Sequence, residues 1–286
     1  MHIPVLLKET VEALDIQKNG NYIDCTMNGG GHTKEILKRN GPDGKVLGIE
    51  IDKEIFDKVE KDERLIAVND SYANLKKIVE ENGFGNVKGI LFDIGMSSYH
   101  VDEAKRGFSF NKDEPLSMSY SGEYSAEGIL NEWEEKDIEN ILELYGEERY
   151  ARKIAKKIVE RRKRERIKST LQLVEIIREA TPGEYHRGQI HFATRTFQAL
   201  RIAVNDELNN FRKALPQALE ILDKGGRLVA ISFHSLEDRI IKEFLKDKEK
   251  SGEMKIISKK PIVPGEEEIR SNPRSRSSKL RVGIKI

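Results

Sequence analysis

Over the first hundred positions, apolar residues fall into short runs, each followed by a stretch with helical spacing. Tyr22-Ile23-Asp24 ends one run and leads into a glycine loop, then a helical pattern from about His32 to Arg39. Lys45 to Ile51, Leu65 to Val68 and Gly89 to Phe92 form the second, third and fourth runs. Strands alternating with helices at this spacing predict βαβ units and a parallel sheet. From about 103 to 210 the alternation stops, and no segment there has convincing strand character. Helical spacing instead covers Asp137 to Leu144, Glu148 to Arg164, Thr170 to Ala180 and Arg195 to Leu215, with Pro182-Gly183 separating the last two. Strand character returns at Gly226 to Ser232, after the turn Lys224-Gly225-Gly226. Short strands near Lys255 to Ile257 and Leu280 to Ile286 would complete a seven-stranded sheet. The pattern predicts an α/β fold with a doubly wound, mostly parallel sheet. Residues 1–103 and 211–286 form one discontinuous domain, interrupted by an inserted α-helical domain over 104–210.

The chain has 286 residues, 37% hydrophobic and 35% charged, enough for one large domain carrying an insertion. No apolar run approaches the roughly 18 residues of a membrane span. Met1 to Val5 lacks the charged-then-apolar layout of a signal peptide. The single cysteine, Cys25, excludes an internal disulfide and a cysteine zinc cluster. A cytoplasmic protein, with no membrane partner and no metal, is the expectation.

The net charge of +1 does not announce a nucleic-acid partner, but the distribution of charge says more. Arg161-Arg162-Lys163-Arg164-Glu165-Arg166 and the stretch from Arg270 to Arg281 are locally basic, as phosphate contacts require. A solvated helix face and a basic tail would look the same.

Candidate chemistry concentrates at the first strand-to-helix turn, Asp24-Cys25-Thr26-Met27-Asn28-Gly29-Gly30-Gly31-His32. Glycines there let a ligand approach the backbone, and the helix start offers free N–H groups. Asp24 ends the first strand. Glu50 ends the second, 19 residues after Gly31, where an acid can grip both ribose hydroxyls. The loop does not match the G-x-G-x-x-G that cradles a pyrophosphate, which disfavours a nicotinamide-dependent oxidoreductase. S-adenosylmethionine carries an ammonium and a sulfonium and no phosphate, so acids facing the loop suit it. Tyr72, after the third strand, is placed either to stack on adenine or to pack as a half-buried aromatic. Asp93 ends the fourth strand at the carboxyl edge, where doubly wound sheets bind ligands.

Methyl transfer from a sulfonium needs an in-line nucleophile at about 3–3.5 Å rather than much acid–base work. A cytosine amino group is a poor nucleophile, and acceptors on its N–H groups would draw its lone pair out of the ring. Asp93 could supply such an acceptor, or could serve the cofactor alone. His234, beside Ser232 and Ser235, lacks the G-x-S-x-G elbow of a hydrolase and reads as substrate-lining or structural. Trp133 reads as packing within the insertion.

These motifs closely resemble the RsmH-type (MraW-like) 16S ribosomal RNA (cytosine N4)-methyltransferases. The resemblance rests on His2-Ile3-Pro4-Val5-Leu6-Leu7, Gly29-Gly30-Gly31-His32, Phe92-Asp93-Ile94-Gly95-Met96-Ser97-Ser98 and Arg106-Gly107-Phe108-Ser109-Phe110. It continues through Tyr145-Gly146-Glu147-Glu148-Arg149, Ala193 to Ile202, Ile231 to Arg239 and Asn272 to Ser277, so it spans nearly the whole chain. It implies a Rossmann-like class I methyltransferase domain with a substrate-recognition insertion. It also implies N4-methylation of a cytidine in the decoding region of 16S rRNA, within the small ribosomal subunit. By motif position, Gly30, Gly31, His32, Glu50, Tyr72, Asp93 and His100 fall where the family contacts its cofactor. Departures are Asn28 for a usual Gly, Glu50 for Asp and His100 for Gln. The family's Pro-Leu-Asp-Met-Arg-Met also reads here Pro115-Leu116-Ser117-Met118-Ser119-Tyr120. The missing acid and base leave a second reading in view, a catalytically lapsed RNA-binding ribosome-assembly factor of the same fold.

Overall fold

The computed structural model describes residues 4–122 and 124–286; His2 and Ile3 of the N-terminal motif, and Met1, lie outside the described residues. The chain divides into two compact units, one of residues 1–97 and 208–286, the other of residues 98–207.

The first unit is built on seven strands: β1 (Asn21–Asp24), β2 (Val46–Ile49), β3 (Leu65–Val68), β4 (Val87–Asp93), β5 (Leu222–Ser232), β6 (Met254–Ile256) and β7 (Lys279–Lys285). They form one sheet in the order β3-β2-β1-β4-β5-β7-β6. Pairings among β1 to β5 are parallel, and β7 runs antiparallel to both β5 and β6. The strand order reverses between β1 and β4, the switch point at whose carboxyl edge such sheets bind ligands. The sequence runs locate all seven strands, with ends shifted by a few residues, the usual fraying of element boundaries.

The helices of this unit are α1 (Leu7–Leu14), α2 (Gly31–Arg39), α3 (Lys53–Phe56) and α4 (Leu75–Glu81). In one core cluster Val5, Leu6 and Leu14 from the α1 region and Ile36 and Leu37 of α2 join Tyr22, Leu91, Val229, Ile231 and Val282 of the sheet. Fully burying each such side chain contributes roughly 1.5–3 kcal/mol, which fixes the helices against the strands.

The second unit holds α5 (Ser98–Asp102), α6 (Ala126–Glu132), α7 (Glu135–Leu144), α8 (Ala151–Arg162), α9 (Thr170–Ala180) and α10 (Thr194–Asn205). Among its described residues the β pairing is a single bridge, Pro115 to Ser169. Trp133, read from sequence as packing, follows α6 in extended backbone and is 39% exposed. The segment Arg195 to Leu215, read from sequence as one helix, is two: α10 ends before α11 (Glu207–Ile221). Asp206 between them sits at φ 49°, a left-handed conformation that a short polar side chain tolerates. Both flanks keep their helical spacing, so the break leaves no mark in the apolar pattern.

The chain closes with α12 (Ser235–Lys250) and α13 (Glu266–Ser271) in the first unit. None of the described helices is long and apolar enough to cross a membrane. Helix α12 is tied to β7 by a buried two-pronged ion pair, with Arg281 Nε 2.6 Å from Asp238 Oδ1 and Nη2 3.1 Å from Oδ2. Removing one partner of such a pair strands the other charge, whereas removing both does not. Asp238→Ala should lower unfolding free energy in urea by about 3 kcal/mol. Asp238→Ala combined with Arg281→Met should lose clearly less than the single change.

Candidate functional site

The loop after β1 is stitched into the sheet before it turns away. Cys25 N donates to Leu91 O of β4, and Met27 N to Ile49 O of β2, so the loop inherits the spacing of the strands. Thr26 Oγ1 accepts from Asp93 N at 2.6 Å, joining the loop to the last residue of β4. Asn28 sits at φ 46°, a left-handed turn that glycine or asparagine can make, and its N donates to Glu50 Oε2 at 2.8 Å. Gly30 also has positive φ (+74°), and a Cβ there would point into open space. Next to it, a Cβ on Gly31 would lie 2.2 Å from Pro4 Cγ, so α2 can start there only on glycine.

These contacts bring three acids to the carboxyl ends of the adjacent strands β2, β1 and β4. Asp24 is fully buried; its Oδ2 accepts from Thr33 Oγ1 at 2.7 Å and its Oδ1 from Thr26 N at 3.2 Å. Burial pushes its pKa up to about 6 against those two bonds. Glu50 accepts from Asp52 N and Asn28 N, each at 2.8 Å, yet burial raises it to about 7. Asp93 is raised to about 8, by burial first and then by the charge of Asp24, although the N–H of Gly95 opposes the shift.

The ionised forms are costly because low dielectric removes hydration, and each charge then feels its neighbours. Asp93 Oδ1 is buried with no hydrogen-bond partner among the described residues. An orphaned carboxyl oxygen costs about 1–3 kcal/mol, so the site as it stands suits a ligand that donates or carries positive charge.

His32, the second residue of α2, is buried, with Nε2 3.1 Å from Val5 O and Nδ1 3.6 Å from Asp93 Oδ2. A carbonyl only accepts, so Nε2 carries the hydrogen and Nδ1 faces the acid. Tyr72 opens the short turn Tyr72–Asn74 after β3 and packs edge-on against Phe92 at 5.7 Å, half-buried.

Of the residues read from sequence, Gly30, Gly31, His32, Glu50 and Asp93 therefore gather at this carboxyl edge, and Tyr72 follows the neighbouring strand. His100, the remaining residue of that set, belongs to the second unit. There it is buried on α5, its ring 5.1 Å from Phe108 and 4.7 Å from Tyr120. Thr33 and Asn69 escaped sequence reasoning. Asn69 Nδ2 donates to Glu50 O at 2.7 Å and steadies the residue that carries the second acid. An isolated Thr or Asn carries no pattern; only the strand ends, which converge in space, could have pointed to them.

The departing segment Ser117 to Tyr120 lies in the inserted unit and keeps a defined shape without the family's acid and base. Asn205 Nδ2 donates to Met118 O at 2.7 Å, and its Oδ1 accepts from Tyr120 N at 2.9 Å. Ser119 Oγ accepts from Gly122 N at 2.8 Å, while Arg106 donates to Ser119 O at 3.0 Å. His234 precedes α12 with Nε2 2.9 Å from Glu237 Oε1, and Glu237 Oε2 accepts from Phe233 N and His234 N. Glu237, rather than the imidazole, therefore holds the start of the helix.

The profile of the MraW methylase family matches residues 1–286. A Clostridium botulinum protein (strain 657 / Type Ba4) named ribosomal RNA small subunit methyltransferase H is 46% identical over 306 residues, covering 100% of this chain and 99% of its own. The protein of that name from Brevibacillus brevis is 41% identical over 307 residues, covering 100% of this chain and 98% of its own. An rRNA methylase of known structure from Streptococcus thermophilus aligns at 9% identity and a TM-score of 0.45, covering 100% and 99% of the two chains. Matched from end to end by the family profile and by relatives above 40% identity, the chain belongs to the MraW methylase family.

Proposed function

We propose that the chain is an S-adenosylmethionine-dependent methyltransferase acting on small-subunit ribosomal RNA, at N4 of a cytidine in the decoding region of 16S rRNA. The observation that carries this reading is the buried set Asp24, Glu50 and Asp93 at the switch point, with Asp93 Oδ1 awaiting a partner. A cationic ligand relieves the mutual repulsion of such acids, whereas a pyrophosphate would add to it. Family membership and the relatives' names support the ribosomal RNA substrate; the decoding region and the N4 position rest on the motifs. An RNA of that kind puts the protein in the cytoplasm.

The residues fit the cofactor as follows. Glu50, steadied by Asn28 N and Asp52 N, keeps lone pairs for the two ribose hydroxyls. Asp24 and the open face of Gly30 receive the cationic end, with Gly31 and His32 starting the helix behind it. Tyr72 lines the adenine side. His100 stays in the proposed set on motif position alone. When bound, the cofactor supplies a methyl on a sulfonium, whose sulfur keeps the electrons of the broken bond. Asp93 Oδ1 would accept an N4–H of cytosine and draw the N4 lone pair out of conjugation with the ring. Raised by burial, Asp93 is basic enough to take the proton that N4 then loses. The inserted unit supplies the grip on RNA.

Incubation with labelled S-adenosylmethionine and small-subunit RNA from cells lacking the protein tests this directly. Mass spectrometry should find one added methyl on a cytidine. Cofactor binding without any transfer would instead favour the lapsed assembly factor. Glu50→Ala should weaken cofactor binding by calorimetry about tenfold or more, since each hydrogen bond to a charged acceptor is worth roughly 1.5–3 kcal/mol.

The raised carboxyls also set a pH dependence. Each acid holds its proton to higher pH in the folded chain than in the unfolded chain, where carboxyls titrate near 4. Between about pH 4 and 8 the folded state thus binds more protons, and stability falls as pH rises. The thermal midpoint of the cofactor-free protein should therefore drop from pH 5 to pH 8. Asp93→Asn, which cannot ionise, should remove part of that drop.

A further inference from the structure

The basic run Arg161 to Arg166 suits phosphate by sequence, yet in the folded unit two of its five cations meet acids. Arg161 Nη2 lies 2.8 Å from Glu179 Oε1, and Arg166 bonds Glu127 at 2.7 Å and Glu132 at 3.3 Å. Arg162 donates to Leu130 O at 3.0 Å. Another basic surface of the same unit is held by rings instead. The Arg149 guanidinium lies 4.9 Å from the ring centre of Tyr150 and 4.7 Å from that of Tyr185. Lys153 Nζ is 5.7 Å from the Tyr150 ring, and the Arg178 guanidinium 5.4 Å from the Phe192 ring.

The turn Tyr185–Arg187 makes these one surface. Tyr185 packs on Tyr150 with ring centres 5.0 Å apart, and the next residue, His186, packs on Phe192 at 4.6 Å. His191 extends the stack: its ring lies 4.3 Å from Phe192 and 4.4 Å from Phe110, nearly parallel to the latter at 4°. Arg149, Lys153, Arg178 and His191 are all exposed.

The fold holds this surface rigidly, and two motifs that methyl transfer does not use do the holding. A Cβ at Gly146 would lie 2.7 Å from the carbonyl oxygens of both Arg195 and Leu142, so only glycine lets the turn before Arg149 lie against α10. Arg195 donates to Glu147 O, and Gln198 Nε2 to Tyr145 O at 2.9 Å. Glu148, 2% exposed, accepts from Tyr150 N at 2.9 Å and from the Tyr185 hydroxyl at 2.6 Å. One buried carboxyl thus fixes both rings that face Arg149.

A carboxylate partner cancels a guanidinium's charge, whereas a ring orients the guanidinium and leaves the charge to act outward. Exposed cations interleaved with stacked rings match single-stranded RNA, whose unpaired bases stack on aromatic and guanidinium planes while its phosphates meet the cations. Duplex RNA buries its base faces, and an acidic peptide would engage the cations without using the rings.

We propose that the surface formed by Arg149, Tyr150, Arg178, Tyr185 and His186, ending in His191 and backed by the buried Phe192, is a stacking platform for a single-stranded segment of the RNA substrate. The assignment rests on the proposed ribosomal RNA substrate and names the part of the inserted unit that holds it.

The test is fluorescence anisotropy of the full chain with a labelled single-stranded oligoribonucleotide of about 12 nucleotides, across a salt series. Arg149→Gln with Arg178→Gln should weaken binding roughly tenfold. It should also make the plot of log affinity against log salt shallower by about 1.4, two phosphate contacts' worth. His191→Ala should weaken binding with the salt slope kept. Arg161→Gln with Arg166→Gln should bind as the wild type does. Thermal midpoints and calorimetric cofactor affinities within error of wild type would show that the variants fold.

Unchanged RNA affinity in a folded Arg149→Gln, Arg178→Gln protein would overturn the proposal. So would an equal loss in the Arg161→Gln, Arg166→Gln protein, or equal affinity for a duplex of the same sequence. A wild type that binds the oligonucleotide as described but transfers no methyl to small-subunit RNA would refute the proposed activity and leave the platform standing.

Discussion

Three carboxyl groups that burial drives toward neutrality end three neighbouring parallel strands, and much of the first unit is arranged to hold them there. Parallel strands finish at one edge, so the residues after β2, β1 and β4 must converge. The loop bonds from Cys25, Thr26, Met27 and Asn28 fix the convergence by tying the turn to both flanking strands. Burial raises all three acids, Asp24 least and Asp93 most. Such a cluster lowers stability until something positive arrives. Strain of this kind is kept where binding releases it.

Much of this frame was legible in the sequence because it is local. The runs Leu65 to Val68 and Gly226 to Ser232 announce strands by composition, and Asp24, Glu50 and Asp93 follow apolar runs at the edge where ligands bind. What was not legible is long-range. Nothing near Thr26 in the chain reveals that its hydroxyl accepts from Asp93, 67 residues away. The break at Asp206 hid because both α10 and α11 keep helical spacing on either side of it. The loop from Ser117 to Tyr120 is held through its backbone by Asn205, so its shape does not need the missing side chains.

The inserted unit shows that a run of charge along a chain is a different thing from a patch of charge in space. Arg161 and Arg166 stand out in sequence and are met by Glu179, Glu127 and Glu132 in the fold. Arg149 and Arg178 are 29 residues apart in numbering and share one surface through the turn at Tyr185 and His186. Rings orient those guanidinium groups where acids would have neutralised them. Both units therefore use the same logic with opposite sign: burial concentrates negative charge at the sheet edge, and exposed stacking keeps positive charge available on the helical unit.

When the site is empty Asp93, and Glu50 in part, hold protons that a cationic cofactor should displace. Proton exchange on binding measures this most directly. Calorimetric titration with S-adenosylmethionine at pH 7, repeated in buffers of different ionisation enthalpy, yields the number of protons released. Asp93, raised to about 8, is mostly protonated at that pH in the free protein, and Glu50, raised to about 7, is half so. Release of between about one and two protons per cofactor bound is expected at pH 7, falling toward zero by about pH 9 as the acids ionise beforehand. Binding that releases no protons at pH 7, or takes them up, would contradict it.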